Sequence, residues 1–144
     1  MIENQENIKA RLIVDKMYQN DAFSKWLGIV VEEVFPGKVK LSMQVREEFT
    51  NGFKVAHGGI AYALADSALA FASNGYGRHA LSIETSISHT RPVMSGEKLI
   101  AITEELSSSR SLAIYHVTIT NERQESVAFF KGTVFKKDKT WELK

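Results

Sequence analysis

Residues 57–74, HGGIAYALADSALAFASN, combine a glycine pair with a single carboxylate in an otherwise apolar segment. The composition predicts a helix that is hydrophobic on every face, which is typical of a buried helix. An unpaired buried carboxylate is costly, so Asp66 needs either a partner or a chemical purpose. Desolvation raises the pKa of a carboxyl group, which suits a general base or a nucleophile. The alternatives are a carboxylate that is hydrogen-bonded to Ser67, Ser82 or a backbone N–H, and one that faces solvent.

The His57-Gly58-Gly59 turn stands at the predicted start of this helix. A helix N-terminus has unpaired N–H groups and a partial positive charge, so it can hold an oxyanion or polarise a carbonyl. The glycines let a ligand approach the backbone, although a tight turn or close packing would also explain them. Asp66 lies about 12 Å from Gly58 along one helix axis. A small reacting group can therefore use both only if they come from two chains, with antiparallel helices across a dimer axis.

Other polar residues near this segment are secondary candidates. Asn51 could hydrogen-bond a carbonyl or position water, although an Asn in a loop also suits turn chemistry. His57 could act as a base or orient the loop, and Ser82 could support Asp66 or a water molecule. Residues near strand ends are candidates for phosphate or adenine contacts: His89, Arg91 and Arg110.

The overall charge is close to neutral, with 18 Lys and Arg against 17 Asp and Glu. This balance gives no general attraction to nucleic acid or to anionic membranes, so neither is predicted as a partner. One basic cluster, Lys136, Lys137 and Lys139, is expected to be a solvated tail, with contact to a phosphate as the alternative.

Several chemistries are excluded by composition and motif. The chain has no cysteine, which excludes disulfides, thiol catalysis and thiolate-bound zinc. Its four histidines lack metal-ligand spacing, so no metal and no cofactor are predicted. Because no G-x-S-x-G occurs, the His-Gly-Gly turn is not the oxyanion loop of an α/β-hydrolase. The polar N-terminal residues lack the apolar region of a secretion signal, so we expect a cytoplasmic protein.

Hydrophobic periodicity predicts the elements that must position these residues. Helices are expected over 5–19, with Ile8, Leu12, Ile13 and Met17 as its apolar face, over a short second segment, 21–28, and over 57–74. A polar loop, 47–56, precedes the last of these. Strands are expected over six segments: 28–35, 38–45, 80–89, 98–106, 111–119 and 126–135.

Short turns between the strands indicate an antiparallel sheet, so the fold class is α+β, with six strands curled around one long central helix. We expect one domain over 1–144, with 1–19 as a peripheral helical segment. Tyr115, Val117 and Ile119 alternate with Leu112 and Ile114, and we expect the first set to need cover from another copy of the chain. The sequence therefore predicts a homodimer at least.

The order of Asn51, His57-Gly58-Gly59 and Leu64-Ala65-Asp66-Ser67 closely resembles the hotdog-fold acyl-CoA thioesterases of the phenylacetate-degradation (PaaI-like) type. The segments ISHTRPVMSGEKLIA and SVAFFKGTVF are similar to later strands of that family, and the resemblance covers residues 20 to 136.

The resemblance implies a hotdog fold and an acyl-CoA hydrolase that assembles as a dimer of dimers. By it, Asp66 is the general base or nucleophile, and the Gly58 N–H of the partner chain polarises the thioester carbonyl. It gives Asn51 and His57 orienting roles and Ser82 a supporting one. It also implies substrate contacts by the following residues: Gly59, Ser67, His89, Arg91, Arg110 and Lys136.

Two other functions stay open from the sequence. A hydratase or dehydratase acting on CoA or carrier-protein thioesters would use His57 as its base. A non-catalytic acyl-CoA-binding module would bind the ligand without turnover, and its affinity would be indifferent to Asp66→Asn.

Overall fold

The structure is a computed structural model of the chain and describes residues 3–143. Residues 1, 2 and 144 of the predicted domain lie outside the described residues. The elements in chain order are α1 (Gln5–Gln19), α2 (Ala22–Leu27), β1 (Val30–Phe35), β2 (Lys38–Gln44), α3 (Gly58–Asn74), β3 (Arg78–His89), β4 (Lys98–Ser108), β5 (Leu112–Thr120) and β6 (Ser126–Thr140). A 3-10 turn, Glu47–Phe49, stands in the segment predicted to be a polar loop.

The six strands form one antiparallel sheet in the order β1-β2-β4-β5-β6-β3. The strand that follows α3 thus pairs with the last strand of the chain, which leaves β3 at one edge of the sheet and β1 at the other. The inner face of the sheet packs against α3, which contacts β2 to β6. This arrangement confirms the predicted α+β fold with a six-stranded sheet around one long helix.

The central helix is buried on only part of its circumference. Leu64, Ala65, Ala68 and Leu69 are fully buried against the sheet. The opposite stripe is only half-buried and consists of the following residues: Tyr62, Ala63, Asp66, Ser67 and Ala70. A helix that is apolar all round therefore keeps one partly exposed face in the single chain, and Asp66 lies on that face.

The prediction for β5 has the correct alternation but the wrong face. Tyr115, Val117 and Ile119 are buried against α3, whereas Leu112 is 43% exposed on the outer face of the sheet. A two-residue period separates the faces of a strand without saying which one meets the helix. The surface that lacks cover is therefore the outer one, where the large exposed side chains are Ile102, Leu112, Phe129 and Phe135.

Both ends of the chain are more ordered parts of the fold than the sequence predicts. In α1, Ala10, Ile13 and Val14 are fully buried, whereas Ile8 and Leu12, which were expected on the packed face, are exposed. The basic cluster at 136–139, predicted to be a solvated tail, is largely exposed but belongs to β6, because this strand continues to Thr140 alongside β3.

Candidate active site

The start of α3 presents free backbone donors. The loop before it is held in place because the His57 N–H donates to the Phe49 carbonyl (2.9 Å) and the Ala56 N–H donates to the Val93 carbonyl (2.7 Å). The His57 side chain makes no capping hydrogen bond. Among residues 3–143, no acceptor satisfies the N–H groups of Gly58 and Gly59, which are exposed. Two donors at the positive end of the helix dipole therefore face solvent, as an oxyanion site requires.

A cleft of about 460 Å³ opens beside these donors. Four residues named from the sequence line it together: His57, Gly58, His89 and Arg91. His89 lies so close to the helix that a Cβ on Gly58 would come within 3.0 Å of its Nε2, whereas a Cβ on Gly59 would meet nothing within 4 Å. Gly58 thus serves close packing against His89 as well as exposing its N–H group, and Gly59 borders open space.

Asp66 is two turns further along α3 and is half-buried. Burial raises the pKa of its carboxyl group, and the negative charge of Asp21 raises it further. No donor among the described residues hydrogen-bonds this carboxylate, so neither Ser67 nor Ser82 is the partner that a purely structural role would need. Because α3 is continuous, Asp66 and Gly58 of one chain remain about 12 Å apart.

Ser67, next to Asp66, is occupied by another contact. Its hydroxyl lies 2.8 Å from that of Ser24 in α2. The Ser24 hydroxyl and N–H both donate to Asp21, the N-cap of α2. This connection between α2 and α3 was not predicted, because the sequence shows only that Asp21 caps a helix.

Tyr62, on the half-buried stripe of α3 that carries Asp66, was not predicted from the sequence. Tyr62 is one turn before Asp66, and its hydroxyl is hydrogen-bonded to that of Thr85 in β3. Its ring meets Phe130 edge-on, with centroids 5.5 Å apart. The spacing of four residues from Asp66 was the available signal, since residues i and i+4 share a helix face. The hydrogen bond and the ring contact tie this stripe of α3 to β3 and β6.

Asn51 lies in the loop before α3, whereas Ser82 lies on the edge strand β3. The Asn51 side-chain oxygen accepts from the Phe53 N–H (2.9 Å) and more weakly from the Val55 N–H (3.4 Å), so it shapes the loop before α3. Ser82 is exposed on the edge strand β3. It is two residues beyond Ala80, which is buried, so the pleat places both on the same side of the strand.

The basic candidates do not all lie at one site. Arg91 borders the cleft and forms an ion pair with Glu125 (3.3 Å). Lys136 donates to Ser108 and Ser109 near the other end of the sheet, and Arg110 is 86% exposed in that region. Along β6, Lys136 is eight residues from the partner of His89, which is roughly 26 Å at the rise of a strand. Lys136 is therefore not part of the cleft at Gly58 in the same chain.

The described residues offer neither a metal site nor a membrane-spanning helix. Within 3–143, no group of three or more His, Cys, Asp or Glu side chains is arranged to hold a metal ion. None of the helices described is long and apolar enough to span a membrane.

Comparison with known proteins identifies the family of the chain. The family model of the thioesterase superfamily matches residues 53–128, which include the cleft, Gly58 and Asp66. The acyl-coenzyme A thioesterase PaaI of Escherichia coli is 34% identical over 116 residues, covering 81% of this chain and 83% of that protein. The chain belongs to the thioesterase superfamily.

Further members show how far the similarity extends. Human acyl-coenzyme A thioesterase 13 is 30% identical over 115 residues, covering 78% of this chain and 82% of its own length. The solved structure of the E. coli PaaI protein superimposes with a TM-score of 0.91 at 32% identity, covering 93% of this chain and 97% of that one. The resemblance to PaaI-like hotdog thioesterases that the sequence indicated is confirmed.

Proposed function

We propose that this protein hydrolyses acyl-CoA thioesters to the free acid and coenzyme A, with Asp66 as its general base or nucleophile. One observation on α3 supports the proposal: the half-buried Asp66 carboxylate has no hydrogen-bond donor, and the same helix presents the free N–H group of Gly58. The named activities of PaaI and of human acyl-coenzyme A thioesterase 13 support the substrate class. The proposal keeps the cytoplasmic location predicted from the sequence.

The reaction needs one base and one group that accepts the developing negative charge. As a general base, Asp66 takes a proton from water, and the hydroxide forms a bond to the thioester carbonyl carbon. As a nucleophile, it attacks that carbon directly, and water then cleaves the mixed anhydride. In either route the Gly58 N–H hydrogen-bonds the carbonyl oxygen, and the C–S bond breaks to release the CoA thiolate, which is then protonated.

The active site is proposed to be composite, with Asp66 of one chain opposite Gly58 of another. Two antiparallel α3 helices bring these groups together, whereas one helix separates them by about 12 Å. The edge strand β3 favours such pairing, because Leu81 and Ile83 are 57% and 60% exposed there. The uncovered outer face of the sheet favours a dimer of dimers.

The remaining candidates receive roles around this centre. Asn51 and His57 are proposed to orient the loop and substrate, and Ser82 to support the attacking water. Substrate contacts are proposed for the following residues: Gly59, Ser67, His89, Arg91, Arg110 and Lys136. The last two act from the partner chain, since they lie far from the cleft within one chain.

Release of free thiol from a panel of short, medium, long and aryl acyl-CoAs tests the activity. Asp66→Asn should lower kcat about 10²–10⁴-fold, the range for a positioned acid or base. Asp15→Asn is the matched control, because it removes an exposed carboxylate from α1 and should leave kcat unchanged. Full activity of Asp66→Asn contradicts the mechanism. A larger loss in His57→Ala than in Asp66→Asn favours a hydratase, and binding without turnover favours a binding module.

A further inference from the structure

The turn between β5 and β6 ends beside the cleft at the start of α3. Thr90, which lines this cleft, is held to the start of β6: its N–H donates to the Val127 carbonyl (2.9 Å) and its hydroxyl donates to the Ser126 carbonyl (3.0 Å). The residues next to them in sequence, Arg91 and Glu125, therefore meet, with Nη1 of Arg91 3.3 Å from Oε2 of Glu125. Strand pairing thus places an acidic side chain against a residue of the cleft.

The Glu125 carboxylate is held in place from the side opposite to Arg91. Its Oε1 accepts from Asn121 Nδ2 (2.9 Å) and from Arg123 Nε (2.9 Å). Asn121 is buried, and its side-chain oxygen accepts from the N–H groups of Arg123 and Glu125 (3.0 Å each). The hydrogen bonds from Asn121 and Arg123 lower the pKa of Glu125, so it is ionised at neutral pH. One carboxylate oxygen is thus fixed by the turn, and the other is directed to Arg91.

Arg91 brings a permanent positive charge to the cleft. Among the described residues that line the cleft it is the one lysine or arginine. Its side chain is 51% exposed, and Glu125 is its acidic partner. The planar guanidinium has several N–H donors, so one edge can stay on Glu125 while the other binds an anion. Acyl-CoA brings such an anion, because its CoA part is phosphorylated.

We propose that Glu125 is a positioning residue for Arg91, holding the guanidinium at the mouth of the cleft so that it binds a phosphate group of the CoA part of the substrate. The role of Glu125 rests on the proposed function, in which Arg91 contacts acyl-CoA. A free arginine side chain samples many rotamers and loses that freedom when it binds a ligand. Because the ion pair restricts Arg91 beforehand, substrate binding costs less entropy. The pair is partly exposed, so its removal should raise KM by about 2–5-fold.

A second arginine limits the repulsion between Glu125 and a bound phosphate. Arg123 pairs with Glu125 (2.9 Å) through the carboxylate oxygen that does not face Arg91. Arg123 is itself held by Glu97 (2.8 Å), which also accepts from the Met94 N–H (2.7 Å). Because Glu125 shares its charge between two arginines, it repels an anion at Arg91 less than a lone carboxylate would. Positioning of Arg91 is therefore expected to outweigh this repulsion.

Glu125→Gln removes the ion pair with little change in the turn. The Gln oxygen can still accept from Asn121 and Arg123, whereas its NH₂ group offers Arg91 no acceptor. KM for an acyl-CoA should rise by about 2–5-fold with kcat unchanged, and the Kd of free CoA in isothermal titration calorimetry should rise by the same factor. Glu122→Gln is the matched control, because it removes the same charge from the same turn and Glu122 contacts Arg123 rather than Arg91. It should change neither KM nor Kd.

Two comparisons show whether the effect passes through Arg91 and a phosphate. In the Arg91→Gln background, Glu125→Gln should change KM and Kd no further, since the group that it positions is gone. The second comparison uses the N-acetylcysteamine thioester of the same acyl group, which lacks the phosphates of CoA. Glu125→Gln should hydrolyse this substrate with the KM of wild type. A merely structural role of Glu125 would alter the KM of both substrates alike.

Failure of this role and failure of the proposed function give different results. If wild type binds CoA but releases no thiol from any acyl-CoA, the proposed hydrolysis fails, and the Kd values for CoA still test the role of Glu125. If wild type is active and Glu125→Gln leaves KM and Kd unchanged or lowers them, Glu125 does not position Arg91. An equal rise in the Arg91→Gln background, or with the N-acetylcysteamine thioester, overturns the role as well. A wild type that neither binds CoA nor releases thiol overturns both.

Discussion

Replacing Gly58 by proline tests whether its N–H group polarises the substrate carbonyl. Proline is accepted at the first position of a helix, where the N–H has no partner within the helix. The residue before it must be extended, and His57 already has φ −54° and ψ 140°. Gly58→Pro should therefore fold while lacking one backbone donor.

Gly58→Ala is the matched control for the added bulk. Both variants place a Cβ within 3.0 Å of His89 Nε2, which must move by a few tenths of an ångström. Only proline removes the donor. Loss of one oxyanion donor lowers kcat about 10²–10³-fold, so this ratio is expected between Gly58→Ala and Gly58→Pro in the thiol-release assay. Equal kcat values in two folded variants would refute the role of the Gly58 N–H.

Mixing two inactive variants tests whether the site is shared between chains. When Asp66→Ala and Gly58→Pro subunits exchange freely, half of the dimers are mixed, and each has one intact site. About a quarter of wild-type activity should therefore return. No recovery, when subunit exchange is demonstrated by mass spectrometry, would mean that both groups act within one chain.

Three further changes test the energetics of the fold. Burial raises the pKa of Asp66, so the contribution of this residue to stability is largest at low pH and is lost as pH rises through that pKa. Asp66→Asn should therefore raise Tm at pH 7 but not below the ordinary carboxyl pKa. A lower Tm of this variant at pH 7 contradicts the argument. In Gly132→Ala, the new Cβ would lie 2.5 Å from Leu69 Cδ2. Urea unfolding should therefore show a free energy of unfolding that is lower by about 1–3 kcal/mol. An unchanged free energy would mean that the Leu69 side chain moves aside without cost. The buried Asn74 side chain hydrogen-bonds both the N–H and the carbonyl of Ala80. Asn74→Ala should therefore lower the free energy of unfolding by about 2–3 kcal/mol. A loss no larger than that of an exposed substitution would show that water replaces the amide.

Local sequence patterns were sufficient for most of the secondary structure. The span of α3 agrees with its prediction because caps and composition are local properties, and each strand lies near its predicted bounds because alternation is local too. The errors are at strand ends, as in β6, which continues through the basic cluster to Thr140. There the pairing with β3 extends the strand, and pairing between distant segments leaves no local pattern.

The sequence by itself determined the identity of the proposed base and its separation from Gly58. A lone carboxylate in an apolar helix is visible as a pattern, and helical rise fixes the distance to the glycine pair. Only the tertiary structure decided that Tyr115 faces inward, that Lys136 lies far from His89, and that Ser67 bonds Ser24 rather than Asp66. The physical reason is that these facts depend on which surfaces meet, and packing between distant segments is a property of the whole chain.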